Sequence, residues 1–280
     1  MRVSLAVWND SHRLKDKPYL EMNDLMVCNE DEGFLKQKYT LVACTHLTDN
    51  MINRIPEWLE YHRSVIGFEH FMIYIDSPNV DIYRKLLEKY LQRHPNLVTF
   101  VPFFFVSNRK AEYPGQGDCI IRLKGVSELA SVFDVDEFFY LFNDSTTFVN
   151  LIKKYTDKDP ALTGVYANSF FHGTLSGQYP DSTKLFMENF LLRMPTKARL
   201  LRDKGVVVVN RTNYLANHFP TSGELKKVVE IGKEFRVNHF RYPALPGELV
   251  PSRLVEDRSM RDKFSTKIKL ELQKSGFAYL

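Results

Sequence analysis

The sequence predicts an α/β protein built on a mostly parallel central sheet flanked by helices. Two observations carry that expectation. Buried-strand patterns alternate with amphipathic helix patterns through residues 39–142, the rhythm of βαβ units. The composition, 44% hydrophobic and 26% charged, is that of a globular chain with an ordinary core. A length of 280 residues suits one large domain, or two small ones sharing a cleft. The expected organisation is a single domain over 1–280. Its first half, 1–142, has the pattern of a nucleotide-binding half, and 143–280 that of a more loop-rich substrate half.

Residues 1–38 read as an irregular leader with one short strand at Val3–Val7. Tyr39–Cys44 is a buried strand, followed by a helix over Ile55–Val65. Pro56 sits near the start of that helix, where its missing N–H costs little. Phe71–Ile75 is a second buried strand, and Asp81–Arg93 an amphipathic helix on Ile82, Leu86, Leu87, Tyr90 and Leu91. Leu97–Phe105 is a third strand and Gln116–Leu129 a helix. Ala130–Val135 leads into a fourth strand that ends on the acidic cluster Asp134–Glu137. Beyond it, strands are expected at Gly164–Phe171, Gly205–Asn210 and Phe235–Phe240, and helices at Leu185–Arg193 and Phe264–Lys274.

Charge and cysteine usage exclude several classes. The net charge of +4, from 38 Lys+Arg against 34 Asp+Glu, is too small for a nucleic-acid-binding protein. It leaves room for a local basic site that takes an anionic ligand. Cys28, Cys44 and Cys119 are far apart and form no C-x-x-C pair, so neither a disulfide framework nor a zinc cluster is expected. That count points to a reducing compartment. No apolar run reaches the ~18 residues a membrane helix needs. The first residues meet Asp10 too soon for a signal-peptide core. The expectation is a soluble, cytoplasmic protein without a transmembrane segment.

The strongest chemical signal is Asp134-Val135-Asp136-Glu137, where a hydrophobic strand ends. Strand geometry points carboxylates at i and i+2 to one face. At the carboxyl end of a parallel strand they overhang the ligand crevice. Such oxygens suit Mg²⁺ or Mn²⁺, which commonly bridges to a diphosphate. The competing reading is a solvated acidic turn. Asp76 closes the strand FMIYI, a position suited to a ribose or base, or to capping the turn at Ser77-Pro78. His218 and His239 each follow a strand-like stretch and are candidates to complete a metal site. His62 and His70 read as structural. A catalytic carboxylate is sought in the second half. Glu188 opens an apolar helical stretch and Asp181 is its rival, although a Glu there also serves the helix dipole.

In combination these segments resemble glycosyltransferase family 92, of the GT-A fold. The resemblance rests on Cys44 and Asn50, on Glu57-Trp58-Leu59-Glu60-Tyr61-His62, and on Gly67 through Tyr74. It continues with Gln116, Cys119 and Phe133-Asp134-Val135-Asp136-Glu137-Phe138. Ser169-Phe170-Phe171-His172-Gly173, Glu188 through Arg193, Lys204, His218 and Asn238-His239-Phe240 follow in the family's order, over roughly residues 40–270. Three features depart from it. Met51 stands where the family has Glu, the strand at Ser169–Gly173 is a variant, and the Lys-Ser after the Asn-His motif is missing, with Arg241 a substitute charge.

The resemblance implies an inverting, metal-dependent transfer of a sugar from a UDP-sugar donor, galactose or xylose leading, to a hydroxyl of an oligosaccharide or glycan acceptor. It implies Mn²⁺ or Mg²⁺ as cofactor, on Asp134 and Asp136 with His218 or His239. The implied donor-binding set is Thr45, Asp76, Lys124, Asp134, Val135, Asp136 and Arg241, and the implied base is Glu188 or Asp181. Two other functions fit parts of the sequence. One is a phosphatase or phosphotransferase with Asp134 as nucleophile, disfavoured because Phe138 replaces the small polar residue expected two positions after the second Asp. The other is a carbohydrate-binding protein without turnover, which the 13% aromatic content allows.

Overall fold

In a computed structural model the described residues are 2–7, 20–26, 38–77, 80–103, 112–174, 180–198, 203–216, 219–222, 234–241 and 254–279. Met1–Lys36 and Gln37–Leu280 form two compact units. The first contains an antiparallel pair, β1 (Arg2–Val7) and β2 (Leu20–Met26). The strand expected in the leader is β1; its partner was not foreseen.

The second unit opens with β3 (Tyr39–Leu47), α1 (Ile55–Tyr61), β4 (His70–Ile75), α2 (Val80–Leu86), α3 (Glu88–Arg93) and β5 (Val98–Pro102). Pro56 lies in the first turn of α1, as expected, and every residue of that helix is buried. The helix runs on as one π turn to Ile66, where Gly67 at φ 95° reverses the chain. The single helix expected over 81–93 is two, because Leu87, at ψ 4°, leaves helical geometry.

Next come α4 (Glu112–Leu123), β6 (Ser127–Val132) and β7 (Glu137–Leu141). The helix expected over 116–129 stops at Leu123. Gly125 takes φ 68°, and Ser127–Leu129 pair with β3 instead.

The rest comprises α5 (Phe148–Thr156), β8 (Gly164–Ala167), β9 (Ser169–Gly173), α6 (Phe186–Asn189), β10 (Leu192–Arg193) and β11 (Lys204–Val208). It ends with β12 (Tyr214–Ala216), β13 (Phe219–Ser222), β14 (Phe235–Phe240), β15 (Val255–Glu256) and α7 (Ser259–Gln273). The helix expected over 185–193 is the single turn α6, since Leu192 and Arg193 pair with β9.

One sheet has the order β5-β4-β3-β6-β11-β8. Its first four strands are parallel, and β11 runs antiparallel to both β6 and β8. Gly205 in β11 leaves no room for a side chain, because a Cβ there would lie 2.2 Å from the Val165 carbonyl. The other sheet, β15-β10-β9-β14-β7, places β14 parallel to β9 and antiparallel to β7. The α/β class is as expected.

Aromatic packing joins α1 to the strands that follow β6. Trp58, Phe68, Phe133, Phe138, Phe139 and Phe148 are each at most 1% exposed. Full burial of such a side chain contributes roughly 1.5–3 kcal/mol. The Trp58 indole donates to the Glu137 carbonyl (3.2 Å) and the Tyr61 hydroxyl to that of Phe139 (2.7 Å). His62 joins the Trp58 carbonyl through Nδ1 (2.8 Å) and accepts from the Phe139 N–H through Nε2 (3.4 Å), and burial lowers its pKa to about 3. His70 stacks on Tyr39 and bonds the Asn96 carbonyl and Thr99. Both histidines are structural, as read.

The cysteine expectation is corrected. Cys44 in β3 and Cys119 in α4 form a disulfide across 75 residues of chain. The sequence spacing gave no signal, because packing of α4 on the sheet creates the proximity. Disulfides persist in oxidising compartments, so the argument for a reducing one falls away. Among the described residues no helix is long and apolar enough to cross a membrane.

Candidate active site

The chain passes from β3 outward to β4 and β5, then returns to the opposite side of β3 as β6. Open α/β sheets bind ligands where the strand order reverses in this way, outside the carboxyl ends of the strands. A narrow cleft lies there, lined by Thr45, His46, Tyr74, Gln116 and Asp134 among others. Among the described residues the buried Thr45 hydroxyl and His46 Nε2 have no hydrogen-bond partner. Burial lowers the His46 pKa, opposed by the negative charges of Asp76 and Asp134. Those two carboxylates therefore share the electrostatics of this cleft.

Beside the cleft a charged cluster forms around Asp134–Glu137. The Lys204 ammonium, 3% exposed, lies 3.1 Å from Glu137 Oε2 and 3.2 Å from Asp134 Oδ2. Register puts His239 of β14 opposite Glu137 of β7. Its Nδ1 is 3.4 Å from Glu137 Oε1 and its Nε2 3.5 Å from Asp136 Oδ2. Arg54, before α1, reaches the same Asp136 oxygen at 3.4 Å. Burial pushes the Asp136 pKa up, but His239 and Arg54 outweigh it and hold the carboxyl below its usual range. His239 is pushed down by burial and raised on balance by Asp136. Glu137 is 1% exposed, and burial lifts it to about 7 against the pull of Lys204. Burial alone would lower Lys204, yet Asp134 and Glu137 raise it, so its cation persists.

These residues fit a divalent cation in part. Asp136 Oδ2 and His239 Nε2 converge, and His239 Nδ1 and Glu137 Oε1 face each other as buried atoms with no other partner among the described residues. A carboxylate behind a ligating imidazole is the usual supporting arrangement. Among the described residues no group of three His, Cys, Asp or Glu could hold a metal ion. Asp136 and His239 are the described pair that would contribute ligands to such an ion.

The other residues singled out in the sequence fall as follows. His218 lies outside the described residues. Val135 is buried in the aromatic core between the two aspartates. Asp76 follows β4 and its N–H donates to the Leu47 carbonyl. Arg241 follows β14, with its guanidinium 5.2 Å from the Phe171 ring centroid. Lys124 spends its ammonium on the carbonyls of Val209 (2.8 Å) and Thr212 (2.6 Å), tying α4 to the turn after β11. Glu188 accepts from the Leu185 N–H (3.0 Å) and pairs with Lys269 (2.7 Å). Asp181 is exposed, held by Thr183 and Lys184, and lines a cavity that also reaches Arg54. Bonds from Thr183 lower its pKa.

Arg54 carried no sequence signal, since an Arg before a helix is common. Glu57 and Lys204 were visible only as members of a recurring order. Glu57 is 1% exposed and accepts from the N–H groups of Phe186 (2.6 Å) and Met187 (3.1 Å), so it anchors α6 to α1. Burial raises its pKa from 4.5 to about 8, against those two bonds. The folded state then keeps a proton that the unfolded chain releases. Its contribution is full below about pH 4.5 and is lost as pH rises through about 8. Glu57→Gln, which does not titrate, should flatten the fall in melting temperature across that window. An unchanged slope would show that Glu57 is not its source.

The fold and the cluster define an α/β protein with a strand-end carboxylate, histidine and lysine site at a ligand crevice. Comparison gives the family. The chain matches Glycosyltransferase family 92 over residues 39–275 and belongs to it. A glycosyltransferase family 92 protein of Ricinus communis is 33% identical over 104 residues, 37% of this chain and 17% of its own length. A second match under that name is 32% identical over 118 residues, 41% of this chain and 20% of its own. The chain thus spans a fifth or less of these curated relatives. Among solved structures, TarS 1–349 of S. aureus in complex with UDP aligns at 11% identity and a TM-score of 0.38, over 74% of this chain and 61% of that one. The 4-diphosphocytidyl-2C-methyl-D-erythritol synthase of Anaerococcus prevotii aligns at 12% and 0.35, over 84% and 96%.

Proposed function

We propose that this chain is an inverting glycosyltransferase. It transfers a sugar, galactose or xylose first, from a UDP-sugar to a hydroxyl of an oligosaccharide or glycan acceptor. The observation that carries the reading is the convergence of Asp134, Asp136, His239 and Lys204 beside the crevice at the strand reversal, in a family 92 chain. The nucleoside lies along Thr45 and Asp76. Lys204 and Arg54 bring positive charge to the side where the leaving diphosphate develops its own. Asp136 and His239 would hold Mn²⁺ or Mg²⁺, which supplies further charge neutralisation there when bound. Asp134, with its side chain 42% exposed, is free to reach the donor as well as Lys204.

A carboxylate takes the acceptor proton as the hydroxyl attacks the face opposite the leaving group. Glu188 is the first candidate by its place in the family order, and Asp181 the rival by its exposure to the cavity. Loss of the true base should lower turnover by about 10²–10⁴-fold with little change in donor affinity. Steady-state kinetics of Glu188→Gln and Asp181→Asn identify it, and two fully active variants would remove both. The disulfide supports folding in an oxidising compartment in place of the cytoplasm. A thermal-shift screen of nucleotide sugars, with and without Mn²⁺, tests the donor class, because a ligand that binds the folded state raises its melting temperature. No shift with any UDP-sugar would refute the reading.

A further inference from the structure

The charged cluster shares Arg54 with a second cavity. A cavity of about 400 Å³ is lined by Arg54, Glu57, Asp181, Phe186, Phe277 and Tyr279 among others. That size lies within the ~300–1,000 Å³ of small-molecule sites. Arg54 forms one wall, with its guanidinium 4.7 Å from the Phe186 ring centroid and further contacts on Asp136 and the Phe240 carbonyl. The cavity therefore adjoins the proposed donor site through a single side chain.

The lining chemistry narrows the ligand. Its exposed Asp181 and Lys184 pair with each other at 3.3 Å, and the partly buried Arg54 pairs with Asp136 at 3.4 Å. A diphosphate or another polyanion finds no surplus positive charge on this wall. What remains is aromatic surface from Phe277 and Tyr279, interleaved with hydroxyl, amide and paired ionic groups. Aromatic faces cover the apolar C–H face of a sugar ring, while fixed polar groups select its hydroxyls. We infer that this cavity is the acceptor subsite and takes a neutral saccharide, with Phe277 as its stacking surface, since the Phe186 ring is already engaged by Arg54 and Phe190. The assignment to an acceptor rests on the glycosyltransferase reading; the saccharide class rests on the lining alone. It also sets Asp181 on the acceptor's side of Arg54, where a base has to stand.

Ser182 and Ala278 are exposed residues of the same lining, so larger side chains there fill the opening without entering the core. The test uses the whole chain with a mixture of neutral glycans released from glycoproteins as the probe. Saturation-transfer NMR should show glycan binding to the wild type, weakened at least tenfold in Ser182→Trp and in Ala278→Trp. In Phe277→Leu it should be weakened by a smaller factor. With radiolabelled UDP-galactose or UDP-xylose, the ratio of transfer to donor hydrolysis should fall at least tenfold in the two Trp variants. No glycan binding by the wild type, or binding unaffected by both Trp variants, overturns the saccharide subsite. Binding that the variants remove, in a wild type that neither hydrolyses nor transfers sugar, keeps the subsite and overturns the transferase reading beneath it.

Discussion

Asp136→Ala is expected to abolish sugar transfer while the protein stays folded. Its carboxylate meets both His239 and Arg54, and it is the oxygen on which the proposed cation and the diphosphate depend. Its side chain is 13% exposed and sits in the turn between β6 and β7, outside the aromatic core, so its loss opens no large cavity. It does leave His239 and Arg54 without a shared anion. Removing a single electrostatic contributor at a developing charge commonly costs about 10²–10³ in turnover. Loss of a metal ligand adds to that, and activity should fall beyond detection. The readouts are initial rates over a Mn²⁺ titration, with circular dichroism to confirm folding. EDTA should likewise stop the wild type, and added Mn²⁺ should restore it. A folded Asp136→Ala chain with wild-type turnover would dismiss the site.

The second large effect is on stability. Lys204→Met should destabilise the fold by about 3–5 kcal/mol, the range for removing one partner of a buried ion pair. Both Lys204 and Glu137 are almost fully buried, and the ammonium bridges Glu137 to Asp134. Without it, Glu137 is left beside Asp134 and Asp136 with less compensation. The contact with the more exposed Asp134 adds little of this energy, since a partly solvated pair contributes at most about 1 kcal/mol. Adding Glu137→Gln to Lys204→Met should recover part of the loss, because it removes the uncompensated charge. Urea unfolding midpoints measure both. A Lys204→Met chain as stable as the wild type would show that water already screens the pair.

The disulfide, the split helix α2/α3 and the truncated α4 show where sequence patterns stop being informative. Apolar periodicity across 81–93 is the same for one helix or two, and only Leu87's backbone marks the break. Periodicity across 116–129 continues because Ser127–Leu129 are buried as a strand instead of as a helix face. At Leu185–Arg193 a helical pattern was overruled by pairing with β9. In each case a tertiary contact outweighed a local preference of well under 1 kcal/mol per residue.

By itself the sequence determined the alternation of strand and helix, the buried strands β3 and β4, and a carboxylate cluster following a buried strand, although that strand ends at Val132 and the two aspartates lie in the turn before β7 and not on a strand face. It also carried the order of motifs that identifies family 92. These are local properties: hydrophobic period, turn residues and short spacings. Tertiary structure alone decided what those carboxylates face. His239 stands opposite Glu137 because β14 pairs with β7 in one register, and a shift of one residue would turn its side chain to the other face. Lys204 arrives on β11, added antiparallel to β6, and Arg54 from the turn before α1. Cys119 meets Cys44 because α4 packs against the sheet. Each of these partners comes from a distant segment, and chain connectivity carries no information about which one folds back onto Asp134–Glu137. The burial that raises Glu57 and Glu137 exists only once the aromatic core has closed around them.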